Sequence, residues 1–415
     1  MDKPIVVGID IGTTKICTLV GREDAPGKIH ILGVGIEPAE GMRKGVVVDL
    51  TAASAAVARS VDKAEHTSGM EINSALVSLA GANVSSVNSR GVVGVSGRVI
   101  DEDDIARAID AARAVAIPHN REIIHVIRRG FKVDDHEGIH NPVGMHGYRL
   151  EVETHIITAA SGSVENLREC VASAKVDVSQ FVLNPLASAE VALNDTERQM
   201  GVAVVDIGGG TSDLAIYIEG DIWHTAVLAV GGNHITSDIA HGLRLPISQA
   251  EEIKLLHGHA VIESIDKRES FNVRPFGEGN SIQISRSDLV QIIEARVEEI
   301  FSLIVQEIKR TGYDGLLPAG VILTGGSSLL PGMKDVASKV LGVPVRIAKP
   351  QNLLGMTDRL DSPAYATSVG LLRWALNMSD FSTFVGSRPS HSVGVGIGGG
   401  SILERIKSFL KLLMP

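Results

Sequence analysis

One short pattern occurs twice in this chain, as Gly8-Ile-Asp-Ile-Gly-Thr-Thr-Lys15 near the start and as Val205-Asp-Ile-Gly-Gly-Gly-Thr-Ser-Asp213 about halfway along. Each copy reads as an apolar strand that delivers an aspartate, then a glycine, then hydroxyl residues at a tight turn, before β-branched alternation resumes. Two copies predict a duplicated α/β fold that grips something between its halves. The chemistry suits a nucleotide polyphosphate. Glycines let backbone N–H groups approach phosphates, hydroxyls add donors, and Asp10 and Asp206 can hold water around Mg²⁺. An ordinary hairpin turn would account for one copy but leaves the second unexplained.

Neither copy is a P-loop, which needs G-x-x-x-x-G-K-[ST] opening a helix. Here the residues after Gly12, from Thr13 to Val20, continue as a strand, so the loop joins strand to strand. A literal G-x-G-x-x-G at Gly394, Gly396 and Gly399 follows no strand and reads as linker.

At 415 residues the chain predicts roughly two to four domains, and 44% hydrophobic residues are ample for buried cores. The net charge of −10 argues against nonspecific binding to a nucleic-acid backbone, which relies on clustered Lys and Arg. Cys17 and Cys170 lie in apolar segments without C-x-x-C spacing, as expected in a reducing compartment such as the cytosol. Met1-Asp-Lys-Pro runs straight into the first expected strand, so no signal peptide is expected, and no apolar run of about 18 residues predicts a bilayer span.

Strand, turn, strand, a helix over Ala52 to Lys63 and a strand over Ser74 to Gly81 make the first half of an α/β unit. From about 84 to 160 the texture changes to an inserted α+β subdomain, with a helix opened by Asp101 as N-cap and strands near Glu122 to Val133 and Tyr148 to Ala159. The first core is thus expected over 1–83 and 161–200, and the second over 201–230 and 305–377 with its own insertion at 231–304. That insertion carries a long helix, Arg286 to Thr311, entered through Ser285-Arg-Ser-Asp288, which resembles a capping box. Ile322 to Pro331 reads as strand, glycine turn and helix. Residues 378–400 read as a flexible tether.

Taken together these segments resemble the actin-like ATPase superfamily, and within it most closely the FtsA-like family of bacterial cell-division proteins. Five motifs carry the resemblance: Asp10 to Lys15, the linking segment Asn184 to Leu193, Asp206 to Asp213, Thr324 to Ser328 with Pro331, and Ala366-Thr-Ser-Val-Gly-Leu371. The resemblance implies duplicated actin-like (ribonuclease-H-like) domains around an ATP cleft. It places Gly12, Thr13, Thr14 and Lys15 around the phosphates from one side and Gly208, Gly209, Gly210 and Thr211 from the other. It brings Gly231 and Gly232 to sugar and phosphates, Glu251 and Lys254 to ribose and adenine, and Gly325, Gly326 and Ser327 over the adenosine, with Asp10 and Asp206 holding Mg²⁺ through water. Lys254 reads equally well as a solvated helix residue. Where many relatives carry a glutamate before the proline of the linking segment, this chain has Asn184 before Pro185. An amide orients water but takes no proton near neutral pH, and a positioned base contributes about 10²-fold to 10⁴-fold, so slow ATP turnover at most is expected, and no residue is assigned as catalytic.

The last fourteen residues, Ile402 to Pro415, form a second signal. At 100° per residue Ile402, Leu403, Ile406, Phe409, Leu410, Leu413 and Met414 fall on one arc of about 140°, with Glu404, Arg405, Lys407, Ser408 and Lys411 opposite and Leu412 on the polar flank. Such a helix measures about 21 Å, short of the roughly 30 Å hydrocarbon core, so it can lie on a bilayer but not cross it. Three basic residues against one acid favour anionic lipid, at about 1 kcal/mol per basic residue. A C-terminal helix docked on its own domain is the ordinary alternative, weakened by the tether before it. The resemblance implies a peripheral protein on the cytoplasmic face of the membrane at the division septum. It self-associates, binds the acidic C-terminal peptide of the tubulin-like protein FtsZ through a surface that includes Arg296, and recruits later division proteins. A PilM-like pilus-assembly scaffold is the alternative. His136, His140 and His146, and His257 with His259, are weak metal candidates because no cysteine joins them.

Overall fold

The computed structural model describes residues 4–276 and 281–381. The chain divides into two units, Met1–Asn377 and Met378–Pro415. Of the second unit only its opening residues, the end of the last helix, are described; the glycine pattern at 394–399 and the amphipathic stretch from Ile402 lie outside the described residues.

The first half runs β1 (Ile5–Ile11), β2 (Lys15–Ala25), β3 (Lys28–Pro38), the short pair β4 (Met42–Arg43) and β5 (Val46–Val47), α1 (Leu50–Ser68) and β6 (Ser74–Leu79). An interruption follows: β7 (Val84–Gly94), α2 (Glu102–Arg113), β8 (Arg121–Val133), β9 (His136–Ile139) and β10 (Arg149–Ala160). The half then resumes with α3 (Ser161–Ala172), β11 (Asp177–Leu183), α4 (Asn184–Ala192) and α5 (Asp195–Met200). The second half holds β12 (Val202–Ile207), β13 (Ser212–Ile218), β14 (Asp221–Leu228), α6 (Gly232–Leu243), α7 (Ile247–His257), β15 (Ser270–Val273), β16 (Ile282–Ser285) and α8 (Arg286–Thr311). It ends with β17 (Val321–Thr324), α9 (Met333–Leu341), β18 (Val345–Ile347), β19 (Leu353–Gly355) and α10 (Ala366–Phe381).

The duplication read from the motifs extends to whole sheets. The first is ordered β11-β6-β1-β2-β3-β19 and the second β18-β17-β12-β13-β14, so β1 and β12 occupy equivalent places, each antiparallel to the next strand and parallel to a later one. β12 is buried throughout and β1 over its last four residues, which is why their sequences run apolar rather than alternating. Helices cover the sheets: α1 presents Ala53, Ala56, Val57, Val61 and Ala64 to the first core, and α8 buries Ile293, Val297, Ile300, Phe301 and Ile304 in the second.

Helix ends differ from the sequence reading in physically readable ways. α1 starts at Leu50 because the Asp49 carboxylate caps the Ala52 N–H, and it runs on to Ser68. At α8 the Ser285 hydroxyl accepts from Ser287 N–H, a simple cap without the reciprocal Asp288 bond of a capping box. A true capping box opens α2, where Asp101 and Asp104 each accept from the other's N–H. After β17 the chain makes a 3-10 turn over Gly326–Leu329 before α9, so glycine turn and helix are separated.

The interrupting segment is an antiparallel sheet, β7-β10-β8-β9, with α2 packed on one face through Ile105, Ala108 and Ala112 against Phe131, Val133, Leu150 and Val152. Its other contacts reach β14: His155 Nε2 is 2.9 Å from Thr225 Oγ1, and its Nδ1 is 2.7 Å from Asn88 Oδ1. Burial pushes His155 down to about 3, with His224 repelling further, and burial alone pushes His125 down to about 4. The unfolded chain binds protons at both rings near pH 6.5 while the folded chain excludes them. The stability tied to these rings is therefore complete above pH 6.5 and drains away as pH falls toward 4. His155→Gln is expected to flatten the fall of Tm between pH 6.5 and 4.5 relative to the parent; an equally steep fall would locate acid lability elsewhere.

Candidate functional site

The two repeated turns are built alike. In the first, Asp10 lies opposite Cys17 across the β1–β2 hairpin and the Gly12 N–H donates to Lys15 O at 3.0 Å; in the second, Asp206 lies opposite Asp213 and the Gly208 N–H donates to Thr211 O at 2.9 Å. The turns face one another across a cavity of about 350 Å³ between the two halves. Gly12, Thr13, Thr14 and Lys15 line one wall and Gly208, Gly209, Gly210 and Thr211 the other, with Asp10 and Asp206 at the floor.

The remaining motif residues surround this space. Gly232, Glu251, Lys254, Gly325, Gly326 and Ser327 line the cavity. Gly231 does not; its Cα packs behind the second turn, and its N–H donates to His234 Nδ1. The start of α6 is bonded to that turn, Gly232 N–H to Gly208 O at 3.0 Å and Asn233 N–H to Gly209 O at 2.8 Å, and Ser327 Oγ donates to the same Gly208 carbonyl at 2.9 Å. Lys254 is buried, donating to Glu251 Oε2 at 2.6 Å and Thr236 Oγ1 at 2.8 Å, so the solvated reading of this residue is excluded. Lys15 Nζ crosses the cleft to Ala364 O at 2.5 Å and lies 4.9 Å from the Tyr365 ring centre.

Charge in the cleft is arranged for a cation. Burial pushes Asp206 up to about 6, opposed by the Thr367 hydroxyl and reinforced by Asp10, while burial and Asp206 push Asp213 well above the usual carboxylate range. Asn184 Oδ1 and Asp213 Oδ1 are buried at the cleft without a hydrogen-bond partner. Among the described residues no three His, Cys, Asp or Glu side chains gather closely enough to cage a metal. One amide oxygen and one carboxylate oxygen with bonds left to make, beside Asp10 and Asp206, fit a Mg²⁺ held largely through water and ligand oxygens, the usual manner of that ion. Of the histidine candidates, His257 stacks on Phe271 and His259 Nδ1 accepts from Val261 N–H, while His136, His140 and His146 are exposed.

Several lining residues escape the sequence reading. Leu255 and Leu329 stand 74% and 55% exposed at the cleft beside Leu330 and Pro331, an apolar slot suited to a flat ring. The signal was present in Leu255, an apolar residue on a solvent face of α7. Arg296, on α8, is held by Asp238 on α6, with Nη2 at 3.0 Å from Oδ1, and by Glu299 at 2.7 Å. Both cysteines are free and buried, and no helix among the described residues is long and apolar enough to cross a membrane.

Duplicated sheets around a cleft walled by paired Asp-x-Gly turns define the actin-like class. Solved structures agree at the level of fold: the PilM-PilN type IV pilus biogenesis complex matches with TM-score 0.65 at 16% identity over 90% of this chain and 99% of that one. MreB5 of Spiroplasma citri bound to ADP matches with TM-score 0.58 at 15% identity over 92% and 99%. The chain belongs to the FtsA family of cell division proteins. The family model "Cell division protein FtsA" matches residues 203–370 and "SHS2 domain inserted in FTSA" matches 81–158. Cell division protein FtsA of Pseudomonas aeruginosa is 37% identical over 98% of this chain and 97% of its own length, and that of Escherichia coli 36% over 99% and 98%. The Borreliella burgdorferi protein is 38% identical over 92% and 93%.

Proposed function

We propose that this division protein binds ATP with Mg²⁺ between its paired turns, self-associates in that state, and tethers FtsZ filaments to the cytoplasmic membrane at the septum through residues 402–415. The observation that carries the nucleotide reading is the matched geometry of the two turns, Gly12 N–H to Lys15 O and Gly208 N–H to Thr211 O, facing each other over two buried aspartates. Bound Mg²⁺ would draw charge off the phosphates. The chain's own residues then divide the work: backbone at Gly209 and Gly210 admits the phosphates closely, Thr13 and Thr14 donate, Leu255 and Leu329 flank the base, and Asn184 orients water without accepting its proton. Asp213 is the nearby carboxyl able to take one, and burial holds it toward its neutral form, which favours slow turnover.

The amphipathic pattern of the tail supports membrane attachment, and many protomers in a row convert weak single contacts into firm binding. Arg296 is the proposed contact for the acidic FtsZ peptide. Because Asp238 and Glu299 already share its guanidinium, an incoming carboxylate must compete with them, which favours modest, salt-sensitive affinity. The test is liposome flotation with ATP, with and without residues 402–415, scoring whether added FtsZ floats too. Co-flotation that needs the tail is the expected result. Flotation of this protein while FtsZ stays behind removes the FtsZ partner from the reading, and flotation unaffected by the deletion removes the tail.

A further inference from the structure

Two consecutive residues in the first turn of α10 reach the two aspartates from opposite sides of the duplication. Thr367 Oγ1 donates to Asp206 Oδ2 at 2.7 Å, and Ser368 Oγ donates to Asp10 Oδ2 at 2.7 Å. Asp206 belongs to the second sheet and Asp10 to the first, so one helical turn touches the floor of the cleft in both halves. Neighbouring helical residues point about 100° apart, which lets adjacent hydroxyls serve carboxylates on separate sheets.

These hydroxyls stand out from their surroundings. α10 otherwise offers apolar groups to the interior, with Val369, Leu371 and Leu372 all fully buried, and Ser368 is itself 0% exposed. The chain leading into the turn is tied to the same two halves: Pro363 O accepts from Gly325 N–H at 3.1 Å and Ala364 O accepts from Lys15 Nζ. Asp10 is held at its other oxygen as well, where Ser78 Oγ donates at 3.0 Å, and Ser78 in turn accepts from Ile11 N–H at 2.8 Å.

We propose that Thr367 and Ser368 are positioning residues that fix Asp206 and Asp10 in the orientation needed to hold a Mg²⁺ hydration shell, so that metal-dependent nucleotide affinity depends on the seating of α10. The inference rests on the reading that the cleft takes a Mg²⁺–nucleotide. It assigns the pair to the metal increment of binding, distinct from the contacts that the turns, the sugar-side residues and the apolar slot make with the nucleotide itself. Partners that orient metal-facing groups from behind typically change metal affinity about 10-fold to 100-fold when removed.

The experiment compares ATP affinity by calorimetry, on the full chain, with excess Mg²⁺ and with EDTA, and takes the ratio as the metal increment. Thr367→Val and Ser368→Ala are each expected to reduce that ratio about tenfold or more while leaving the affinity in EDTA and the Tm near those of the parent. Thr367→Ser, which keeps the hydroxyl, is expected to retain the ratio. A ratio unchanged in both variants overturns the proposal, as does an equal loss with and without metal, which marks a merely structural role. Should Thr367→Val fail to fold, Ser368→Ala, which removes a single oxygen, decides by itself. If the parent protein binds no ATP in either condition, the nucleotide reading falls and this proposal with it; if the parent shows the increment and the variants keep it, only the positioning role falls.

Discussion

Gly209→Asp is expected to weaken ATP binding by at least about 100-fold, a loss of about 2.7 kcal/mol. A Cβ at this position meets the Thr14 hydroxyl across the cleft and comes within 3.1 Å of Asn233 Oδ1, so any side chain closes the gap between the two turns. An aspartate adds a third negative charge beside Asp10 and Asp206, where the phosphates themselves must sit. The residue lies on the wall of the cleft rather than in a core, so Tm without nucleotide is expected to stay within a few degrees of the parent. Titration with ATP and Mg²⁺ checks the first expectation and a melting curve the second. Retained affinity within about fivefold would sink the assignment of this turn to phosphate.

The largest structural effect is expected at Gly370, where α10 lies directly on α4. A Cβ built there runs into the Ala187 carbonyl and approaches Ala187 Cα to 3.2 Å, all backbone that cannot swing aside. Both helices are closely buried at this point, with Leu186, Ala187, Val369 and Leu371 at 0% exposure. Gly370→Val must push two rigid elements apart. Overpacking a close-packed interior costs about 1–3 kcal/mol and occasionally more, and a backbone collision belongs at the upper end. For a chain of this size about 3 kcal/mol corresponds to a fall in Tm of roughly 3–4 °C. Because α4 and α10 are the helices that carry Asn184 at one end and Thr367 with Ser368 at the other, ATP is expected to restore less Tm to this variant than to the parent. A melt within about 1 °C of the parent, with and without ATP, would show that the crossing tolerates separation.

What the sequence made legible follows from which signals are local. The Asp-x-Gly turns are local: strand, aspartate, glycine and hydroxyl lie within six residues, and the sheets built on them follow from the same short-range pattern repeated. The α/β class and the duplication were therefore readable. Lys254 was readable only as an alternative, because nothing near it in sequence distinguishes a solvated lysine from one bonded to Thr236 eighteen residues earlier. Thr367 and Ser368 carried no readable role at all. Their partners lie 161 and 358 residues away, and a hydroxyl in a helix's first turn ordinarily reads as a local cap. Arg296 illustrates the converse. Its type and helical position suit a carboxylate, and the structure supplies two from within the chain, Asp238 from α6 and Glu299 one turn along.

The likeness of the two turns also makes their differences informative. Matched through Asp10 and Asp206, the first copy has Thr13, Thr14 and Lys15 where the second has Gly209, Gly210 and Thr211. A cradle with true two-fold symmetry would receive a triphosphate equally well in either direction, since neither wall could tell the chain's terminal end from its ester end. Here one wall bears a cation and two hydroxyls and the other two bare glycines and a single hydroxyl, so the two directions of entry differ in energy. Divergence at three adjacent positions thus lifts the degeneracy that gene-level doubling would impose, and gives a symmetric grip a polarity.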